Sequence, residues 1–380
     1  MLREGNSTTS LYHDYFAIRG GGERLALELA CALDAELVYG YRTELSYGEE
    51  NFPADSRSLM SGKVIKTPGL ATIALAMSFA MERRRSVNYP VRIFSGVAAP
   101  FAAPKQDGSG VNIFYCHTPP RFLYDQKSFY EATGGVGRRL GLSMAGAWFQ
   151  RGYERSVGRM DMIVANSENI RRRIKRYLGR DSVVVYPPVD TEGFRWEQSQ
   201  GYYLSTARLT PLKRIRTIVE AFKAMPDLHL VVASGGEQED ELKALAAGVP
   251  NIRFTGWTED AELKLLVARA VATIYIPVEE DFGMSPVESM AAGKPVIGVA
   301  EGGLLETVVP GQTGFLLPAE PSAGDLQGAV RMLTPDRALE MRVACEQRAQ
   351  LFTRERFLSG MSAAIAQAEA RKLYSSVASV

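Results

Sequence analysis

The chain has 380 residues, of which 46% are hydrophobic and 23% charged, a composition typical of a globular protein with about two domains. This composition excludes intrinsic disorder and coiled coil as the main state. The 44 basic and 43 acidic residues give a net charge of +1, which argues against nucleic-acid binding through bulk charge. Residues 1–190 carry 25 basic and 19 acidic residues, so the basic first half predicts attraction to an anionic surface.

The polar N-terminus, MLREGNSTTS, has no apolar core, so we expect no signal peptide. Three widely separated cysteines form neither a zinc motif nor a disulfide framework, which favours the reducing cytoplasm. The near-apolar run from Leu70 to Met81 is shorter than the roughly 20 residues that a spanning helix needs, and it predicts a buried helix rather than membrane contact.

Short hydrophobic runs alternate with amphipathic stretches along the whole chain. The predicted strands begin at Glu36, Val91, Asn112, Met162 and Ser182 in the first half, and at Tyr202, Leu228, Asn251, Val271 and Pro295 in the second half. Continuous apolar runs are typical of parallel strands that are buried on both faces. The alternation predicts an α/β fold of doubly wound parallel sheets.

The alternation restarts after a polar stretch near residues 190–200, where we place a domain boundary. Residues 1–195 would form one Rossmann-like domain and residues 196–355 a second, with their ligands at the carboxyl ends of the strands. Between the predicted strands from Tyr202 and Leu228, Thr210 and Pro211 are suited to begin a helix. The last segment, residues 356–380, has the periodicity of a helix.

The sequence contains no nucleotide-binding P-loop, no glycine fingerprint after a strand and no pair of aspartates separated by one residue. The three histidines have no metal-ligand spacing. If the protein binds phosphate, cations and helix N-termini must therefore neutralise it.

The segment EEDFGMSPVESMAAGKPVIG, from Glu279, combines a loop after a strand with a predicted helix start. Ser285 is suited to cap that helix, and Glu288 three residues later completes a capping box, which is a purely structural interpretation. The functional interpretation concerns the loop that begins at Glu280, because it follows the carboxyl end of a strand. The backbone N–H groups near Met284 would then meet a ligand at the helix N-terminus.

Two cations follow the strand at Tyr202, namely Arg208 and Lys213 in the sequence ARLTPLKR. Lys213 and the adjacent Arg214 are predicted in the first turn of the next helix, where cations oppose the helix dipole. A bound diphosphate would offset this cost, whereas a solvated pair of surface cations is the alternative interpretation.

Two further features point to ligand contacts in the first half. The glycine turn ending in Gly21 and Gly22 opens an amphipathic helix, so its amides could approach a phosphate, although ligand-free glycine turns are common. His117 follows the strand at Asn112 and precedes two prolines, which places it at a strand tip. A lone histidine is more often structural than catalytic.

Together these segments resemble the retaining glycosyltransferases of family 4, which have the GT-B fold of two Rossmann-like domains facing a cleft. The resemblance runs from Gly20 to Gly314 and includes two carboxylates with seven residues between them, Glu280 and Glu288, within E-x-F-G-x4-E-x-M-A-A-G-x-P-V-I. The string R-L-x3-K at Arg208 is also similar, although Ala207 and Arg214 replace glycines that are usual in the family.

The resemblance implies roles for these residues. Arg208 and Lys213 would hold the donor diphosphate, Glu288 the ribose hydroxyls, and Glu280 the transferred sugar. His117 would lie beside the reacting face of the sugar and would count with Glu280, Arg208 and Lys213 as catalytic. Further donor contacts are implied for Phe282, Gly283, Met284 and Ser285, and for Gly21 and Gly22 in the first domain.

The segment YCHTPPRFLYD around His117 is similar to bacterial O-antigen and exopolysaccharide mannosyltransferases. The resemblance therefore implies a GDP-mannose donor, no metal and no other cofactor, and an acceptor saccharide linked to a polyprenyl diphosphate. It also implies that the last helix, residues 356–380, crosses back to the first domain.

The stretch NIRRRIKRYLGR has apolar residues at helical spacing and five cations between Arg171 and Arg176. This pattern predicts peripheral binding to the anionic inner face of the cytoplasmic membrane, and a solvated basic helix is the alternative. Two other functions remain open: another GT-B enzyme, such as a nucleotide-sugar epimerase or a phosphorylase, or a non-catalytic nucleotide-sugar-binding partner.

Overall fold

The computed structural model describes residues 7–60, 68–105, 110–125 and 136–377, so the first six residues of the polar N-terminus lie outside it. The chain forms two compact units, one of residues 1–186 with 358–380 and the other of residues 187–357. The sequence-based boundaries, after residues 195 and 355, lie close to these positions.

The first unit is built on a seven-stranded parallel sheet with the strand order β3-β2-β1-β4-β5-β6-β7. Its strands are β1 (Thr9–His13), β2 (Glu36–Tyr39), β3 (Ser56–Ser58), β4 (Val91–Ser95), β5 (Val111–Cys116), β6 (Met162–Ala165) and β7 (Val183–Val184). The order reverses between β1 and β4, which are paired in register from Thr9 with Val91 to His13 with Ser95. In an open α/β sheet, ligands bind beyond the carboxyl ends of the strands at such a reversal.

Helices cover this sheet, with short 3-10 turns at Glu49–Asn51 and Ala99–Ala102. The helices are α1 (Gly21–Ala32), α2 (Pro68–Ser86), α3 (Val136–Val157) and α4 (Glu168–Leu178). The core between β-sheet and helices contains large aromatic side chains, among them Phe94, Phe114 and Tyr153. Burial of such side chains is the main favourable term in folding.

The second unit contains a six-stranded parallel sheet with the order β10-β9-β8-β11-β12-β13. Its strands are β8 (Tyr202–Ser205), β9 (His229–Val232), β10 (Ile252–Phe254), β11 (Thr273–Ile274), β12 (Val296–Val299) and β13 (Gly314–Leu317). The strand order reverses between β8 and β11, where Leu204 pairs with Thr273. This reversal marks the expected ligand position of the second unit.

The second unit begins its helical layers with a 3-10 turn at Pro211–Lys213 and has another at Gln350–Phe352. Its helices are α5 (Ile215–Lys223), α6 (Glu239–Leu245), α7 (Asp260–Arg269), α8 (Met284–Ala291), α9 (Leu304–Thr307), α10 (Ala323–Met332), α11 (Pro335–Glu340) and α12 (Arg342–Ala349). The last helix, α13 (Arg354–Val377), belongs to the first unit from Leu358 onwards. There Lys372 donates to the carbonyl of Gly110 and lies 3.6 Å from the Asp161 carboxylate.

The fold class predicted from the alternation of strands and helices is confirmed by the two parallel sheets. The first strand, β1, is missing from the prediction because Thr9, Ser10 and His13 interrupt its apolar character. All five of its residues are nevertheless buried at the centre of the sheet.

The prediction of a buried helix between Leu70 and Met81 is only half correct. One face of α2 is buried through Leu75, Ala76 and Phe79, but Leu70 and Met81 are exposed on the other face. None of the helices in the described part of the chain is both long enough and apolar enough to cross a bilayer.

The basic helix α4 places its apolar stripe in the core rather than on the surface. Ser167 caps the helix by accepting the N–H of Ile170 at 3.1 Å, and the side chains of Ile170 and Ile174 are fully buried. Arg173 is also buried and pairs with Asp125. The helix is amphipathic as its sequence indicated, but its apolar stripe packs in the core and is not exposed for insertion into a membrane.

Candidate active site

The loops that follow β8 and β11 bring the predicted cations and carboxylates of the second unit together. Lys213 lies in the 3-10 turn after β8, and its Nζ is 2.6 Å from Oε2 of Glu280, in the loop after β11. Both side chains are about one-fifth exposed, at 23% and 22%. A partly exposed ion pair at the sheet's reversal point can rearrange around an anionic ligand at modest cost.

The position of Lys213 corrects the sequence interpretation. It was expected in the first turn of a helix, but α5 begins only at Ile215, and Arg214 before it adopts a left-handed conformation with φ of 54°. The Arg214 guanidinium bonds the carbonyl of Ala319 at 2.8 Å and a carboxylate oxygen of Glu301 at 3.2 Å. Arg214 is thus engaged within the protein fold, which leaves Lys213 as the cation of this pair that reaches the site.

Tyr275, just after β11, is a second partner of Lys213 that the sequence interpretation did not identify. Its hydroxyl accepts from Lys213 Nζ at 2.8 Å, and the ammonium lies 5.0 Å from the ring centroid. Burial and then the charge of Glu280 raise the pKa of Tyr275, with Glu288 adding to the effect. The tyrosine is therefore neutral and fixes the lysine, while Glu280 and Glu288 make the surroundings negative.

The loop from Glu280 to Gly283 is held by the glycine pair that follows β12. The N–H of Gly303 donates to the carbonyl of Glu280 at 2.8 Å. A Cβ added at Gly303 would lie 2.4 Å from Cα of Phe282, and one at Gly302 would lie 2.4 Å from the Glu280 carbonyl oxygen. Only residues without side chains permit this approach, so the glycine pair sets the position of the loop.

The loop ends at the N-terminus of α8, where the structure corrects the capping prediction. Gly283, with φ of 89°, is the residue before the helix, and Ser285 is its second residue, so the proposed capping box with Glu288 does not form. No side chain caps this helix and no acidic residue lies in its first turn. The first N–H groups of a helix lack partners within it, so Met284 and Ser285 offer donors to an anion.

Phe282 contributes to this arrangement through its backbone. Its side chain is buried, with its ring 5.4 Å from that of Phe352. The ring anchors the loop in the core, so the adjacent peptide groups of Phe282 and Gly283 are held in a fixed position. Preorganised backbone donors of this kind stabilise developing negative charge effectively, because they need not reorient during the reaction.

Arg208 is exposed in the middle of the loop between β8 and the 3-10 turn at Pro211–Lys213. Within the described residues its guanidinium makes no hydrogen bond or ion pair, while the next residue, Leu209, is fully buried and donates its N–H to the Gly235 carbonyl at 3.0 Å. The arginine is therefore attached to a fixed backbone but has a side chain that can turn toward an anion. An arginine fork can bind phosphate oxygens bidentately.

The first unit has its own candidate site at the carboxyl ends of β1, β4 and β5. The glycine turn was expected just before the helix, but α1 already begins at Gly21, with Gly20 before it and no side-chain cap. A Cβ at Gly22 would lie 3.4 Å from Cε1 of His117, so the helix N-terminus and the histidine are adjacent. Helix N–H groups and an imidazole thus border the same space.

His117 is held by a chain of hydrogen bonds that the sequence interpretation missed. Ser95 Oγ lies 2.8 Å from His117 Nε2 and 3.1 Å from Nδ1 of His13. Burial lowers the pKa of His117 to about 4, and burial followed by the nearby His117 lowers that of His13 to about 3. Both rings are neutral near pH 7, so His117 is suited to hydrogen bonding rather than to charge pairing.

Asp14 fixes the loop that leads from Ser95. Its carboxylate accepts N–H groups from Val97, Ala98 and Ala99 at 2.6 to 2.8 Å. His13 and Ser95 could have been identified only by noting that each polar residue ends a strand next to the reversal of the sheet. Tyr275 could have been identified in the same way.

The part of the chain that the structure describes contains no group of three or more metal-ligating side chains placed to hold an ion.

Comparison with known proteins identifies the class. Residues 168–352 match the family model described as Glycosyl transferases group 1, a range that contains the second-unit site from Arg208 to Glu288. The structure of Anabaena Alr3699/HepE in complex with UDP and glucose has a TM-score of 0.71 at 16% identity, covering 95% of this chain and 100% of that chain. The chain is a glycosyltransferase with a GT-B fold, and its residues 168–352 resemble the group 1 family.

The chain is also similar in sequence to enzymes that are named as mannosyltransferases. The alpha-1,3/1,6-mannosyltransferase ALG2 of Dictyostelium discoideum is 26% identical over an alignment of 296 positions, which covers 65% of this chain and 67% of that protein. The protein of the same name from Saccharomyces cerevisiae is 24% identical over an alignment of 396 positions, which covers 84% of this chain and 76% of that protein. The resemblance to glycosyltransferases inferred from the sequence motifs is confirmed.

Proposed function

We propose that the protein transfers mannose from GDP-mannose to a saccharide linked to a polyprenyl diphosphate, with retention of configuration and without a metal. The names of the similar mannosyltransferases support the sugar, and the motif around His117 supports the donor. The observation that carries the proposal is the convergence of Lys213, Glu280 and the uncapped N-terminus of α8 at the reversal of the second sheet.

The proposed chemistry begins with the leaving group. As the bond between the anomeric carbon and the diphosphate breaks, negative charge grows on the phosphate oxygens. We assign their stabilisation to Arg208, Lys213 and the N–H groups of Gly283 and Met284, which together require no metal. Glu288, one turn into α8, would bind the ribose hydroxyls, and Ser285 would add a further donor contact.

The acceptor hydroxyl would attack from the same face as the departing diphosphate. Its oxygen forms the new bond to the anomeric carbon, while its proton passes to the leaving phosphate oxygen. GDP-mannose carries an α-linked sugar, so an α product corresponds to retention. Glu280 would bind the sugar hydroxyls. In the first unit, neutral His117 and the N–H groups of Gly21 and Gly22 offer hydrogen bonds to a ligand.

We also propose that the protein works in the cytoplasm at the inner face of the cytoplasmic membrane. A polyprenyl-linked acceptor is confined to a bilayer, and the excess of basic over acidic residues in residues 1–190 suits an anionic surface. The absence of a spanning helix among the described residues is compatible with peripheral attachment.

The test compares GDP-sugars and UDP-sugars in two steps. A thermal-shift series first identifies the nucleotide sugar that stabilises the protein, because binding to the folded state alone raises its apparent stability. The protein is then incubated with that donor and a polyprenyl-diphosphate-linked saccharide, and the product is analysed by NMR. An α-mannoside formed from GDP-mannose supports the proposal, whereas an epimerised nucleotide sugar without acceptor, or binding without turnover, would refute it.

A further inference from the structure

The outer surface of the first unit contains a groove between α2 and α3 with a volume of about 590 Å³. It lies on helices that lead away from the carboxyl ends of the strands and contains none of the residues assigned to the donor. Phe101 forms its floor, since a Cβ at Gly152 would lie 2.5 Å from the Phe101 ring. The missing side chain at Gly152 thus opens the space above the ring.

Four arginines line this groove: Arg83, Arg151, Arg155 and Arg159. Among the described residues that line it there is no carboxylate. Two of the guanidinium groups are held by carbonyl oxygens, since Arg83 donates to Phe101 at 3.1 Å and Arg159 to Ala103 at 3.0 Å. The carbonyl fixes the Arg83 guanidinium without neutralising its charge, and the exposed Arg151 and Arg155 add two more cations to the groove.

The crowding of these cations has two further signs. Burial and then the charges of Arg83 and Arg155 lower the pKa of Arg159. The Nε group of Arg83 is buried and has no hydrogen-bond partner within the described structure. Like charges that repel one another and a buried donor without an acceptor both favour the arrival of an anion.

Large apolar side chains are exposed beside the arginines. Trp148 is 49% exposed and stacks on Phe101 with ring centroids 6.2 Å apart. On α2, Leu70, Met77 and Met81 recur on one face, and their exposure ranges from 55% to 74%. A free phosphate would gain nothing from this apolar stripe, whereas the boundary between headgroups and acyl chains accommodates both features.

We propose that the groove between α2 and α3 docks the protein on a bilayer of anionic phospholipid. The four arginines bind lipid phosphates, and Trp148 and Met77 enter the boundary between headgroups and acyl chains. This inference rests on the proposed function, which includes a membrane partner. The sequence pattern assigned the membrane contact to α4, but the apolar stripe of α4 is buried, so we assign the contact to the groove instead.

The first experiment measures flotation of the full chain with two kinds of vesicle, one of phosphatidylcholine and phosphatidylglycerol and one of phosphatidylcholine alone. The double variant Arg151→Gln, Arg155→Gln removes two exposed cations of the groove. It should partition about thirty-fold more weakly onto the anionic vesicles, since each cation near an anionic surface contributes roughly one kcal/mol. The matched control is Arg171→Gln, Arg172→Gln, which removes two exposed cations from α4 and should remain close to wild type.

The second experiment tests insertion directly. Vesicles containing brominated phosphatidylcholine should quench the tryptophan fluorescence of the wild type, and Trp148→Phe should abolish most of that quenching. Equal flotation of the wild type and the groove variant, equal loss in both double variants, or no binding to anionic vesicles would overturn the inference. No binding is also the result expected if the groove accepts an acidic peptide instead.

Binding of GDP separates this inference from the proposed function. All variants of the groove and of α4 should bind GDP as the wild type does, because none alters a residue assigned to the donor. If the wild type fails to bind GDP but still docks through the groove, the proposed function fails and the docking inference stands. If GDP binds and the groove variant docks normally, only the docking inference fails.

Discussion

Replacing Gly303 by alanine should displace the loop that we assign to the donor. The φ angle of Gly303 is −68°, which alanine adopts without strain, so the effect comes from contact alone. The new Cβ would lie 2.4 Å from Cα of Phe282, whereas ordinary van der Waals contact begins at 3.4 Å. The backbone must therefore move by about 1 Å to relieve the overlap. Overpacking of this kind costs about 1–3 kcal/mol of stability.

The same displacement should impair the reaction far more than it impairs folding. A misplacement of about 1 Å in a positioned group can cost about a hundred-fold in rate, so kcat/KM with GDP-mannose should fall by about that factor in Gly303→Ala. Urea unfolding measures the change in stability, and initial rates of GDP release in the presence of acceptor measure the change in activity.

Gly328→Ala provides the matched control in the same unit. Gly328 lies exposed within α10, and an added Cβ meets no heavy atom within 4 Å. Alanine should therefore stabilise that helix by about 0.5–1 kcal/mol and leave turnover unchanged. Folded Gly303→Ala protein with wild-type kcat/KM would refute the assignment of the loop amides to the donor.

Three further predictions concern charge, pH and metal. Glu280→Gln should lower kcat but tighten GDP binding about five-fold, because Lys213 no longer has to give up a partly exposed ion pair worth about 1 kcal/mol when it binds the diphosphate. Weaker GDP binding by the variant in calorimetry would contradict this prediction. The pKa of His117 is about 6.5 in the unfolded chain and about 4 in the folded chain, so the free energy of unfolding should fall as the pH falls through that range. His117→Asn should lessen this loss of stability at pH 5 by about 2 kcal/mol. If the variant showed the same pH profile of urea unfolding as the wild type, the prediction would be wrong. Turnover should persist in EDTA, and loss of activity restored by Mg²⁺ would refute metal-independent transfer.

The fold could be predicted because parallel strands that are buried on both faces have continuous apolar sequences. The run from Val91 and the run from Met162 both became strands at their predicted positions. The prediction missed β3 and β13, and it also missed Thr9–His13, which carries polar residues in the centre of the sheet. Its polarity reflects its site: His13 ends the strand and joins Ser95 and His117 in a hydrogen-bonded chain.

The sequence predicted those parts of the candidate site whose local structure follows from the motif. It did not predict the parts whose backbone conformation depends on contacts with distant residues. The spacing of Glu280 and Glu288 indicated a loop followed by a helix, but the cap was assigned to Ser285 because that residue type favours caps. The actual start at Gly283 depends on a left-handed backbone and on packing against Gly303, which local sequence does not reveal. The roles assigned to the individual residues stay predictions.

We propose above all that Arg208 and Lys213 stabilise the departing diphosphate. The most direct measurement is kcat/KM with GDP-mannose for Arg208→Gln and Lys213→Gln, compared with Arg216→Gln, which removes an exposed cation of the same unit that pairs with Glu241. The first two variants should each lose more than about ten-fold while the third remains at the wild-type value. Near-wild-type turnover in both Arg208→Gln and Lys213→Gln, or an equal loss in all three, would contradict the claim.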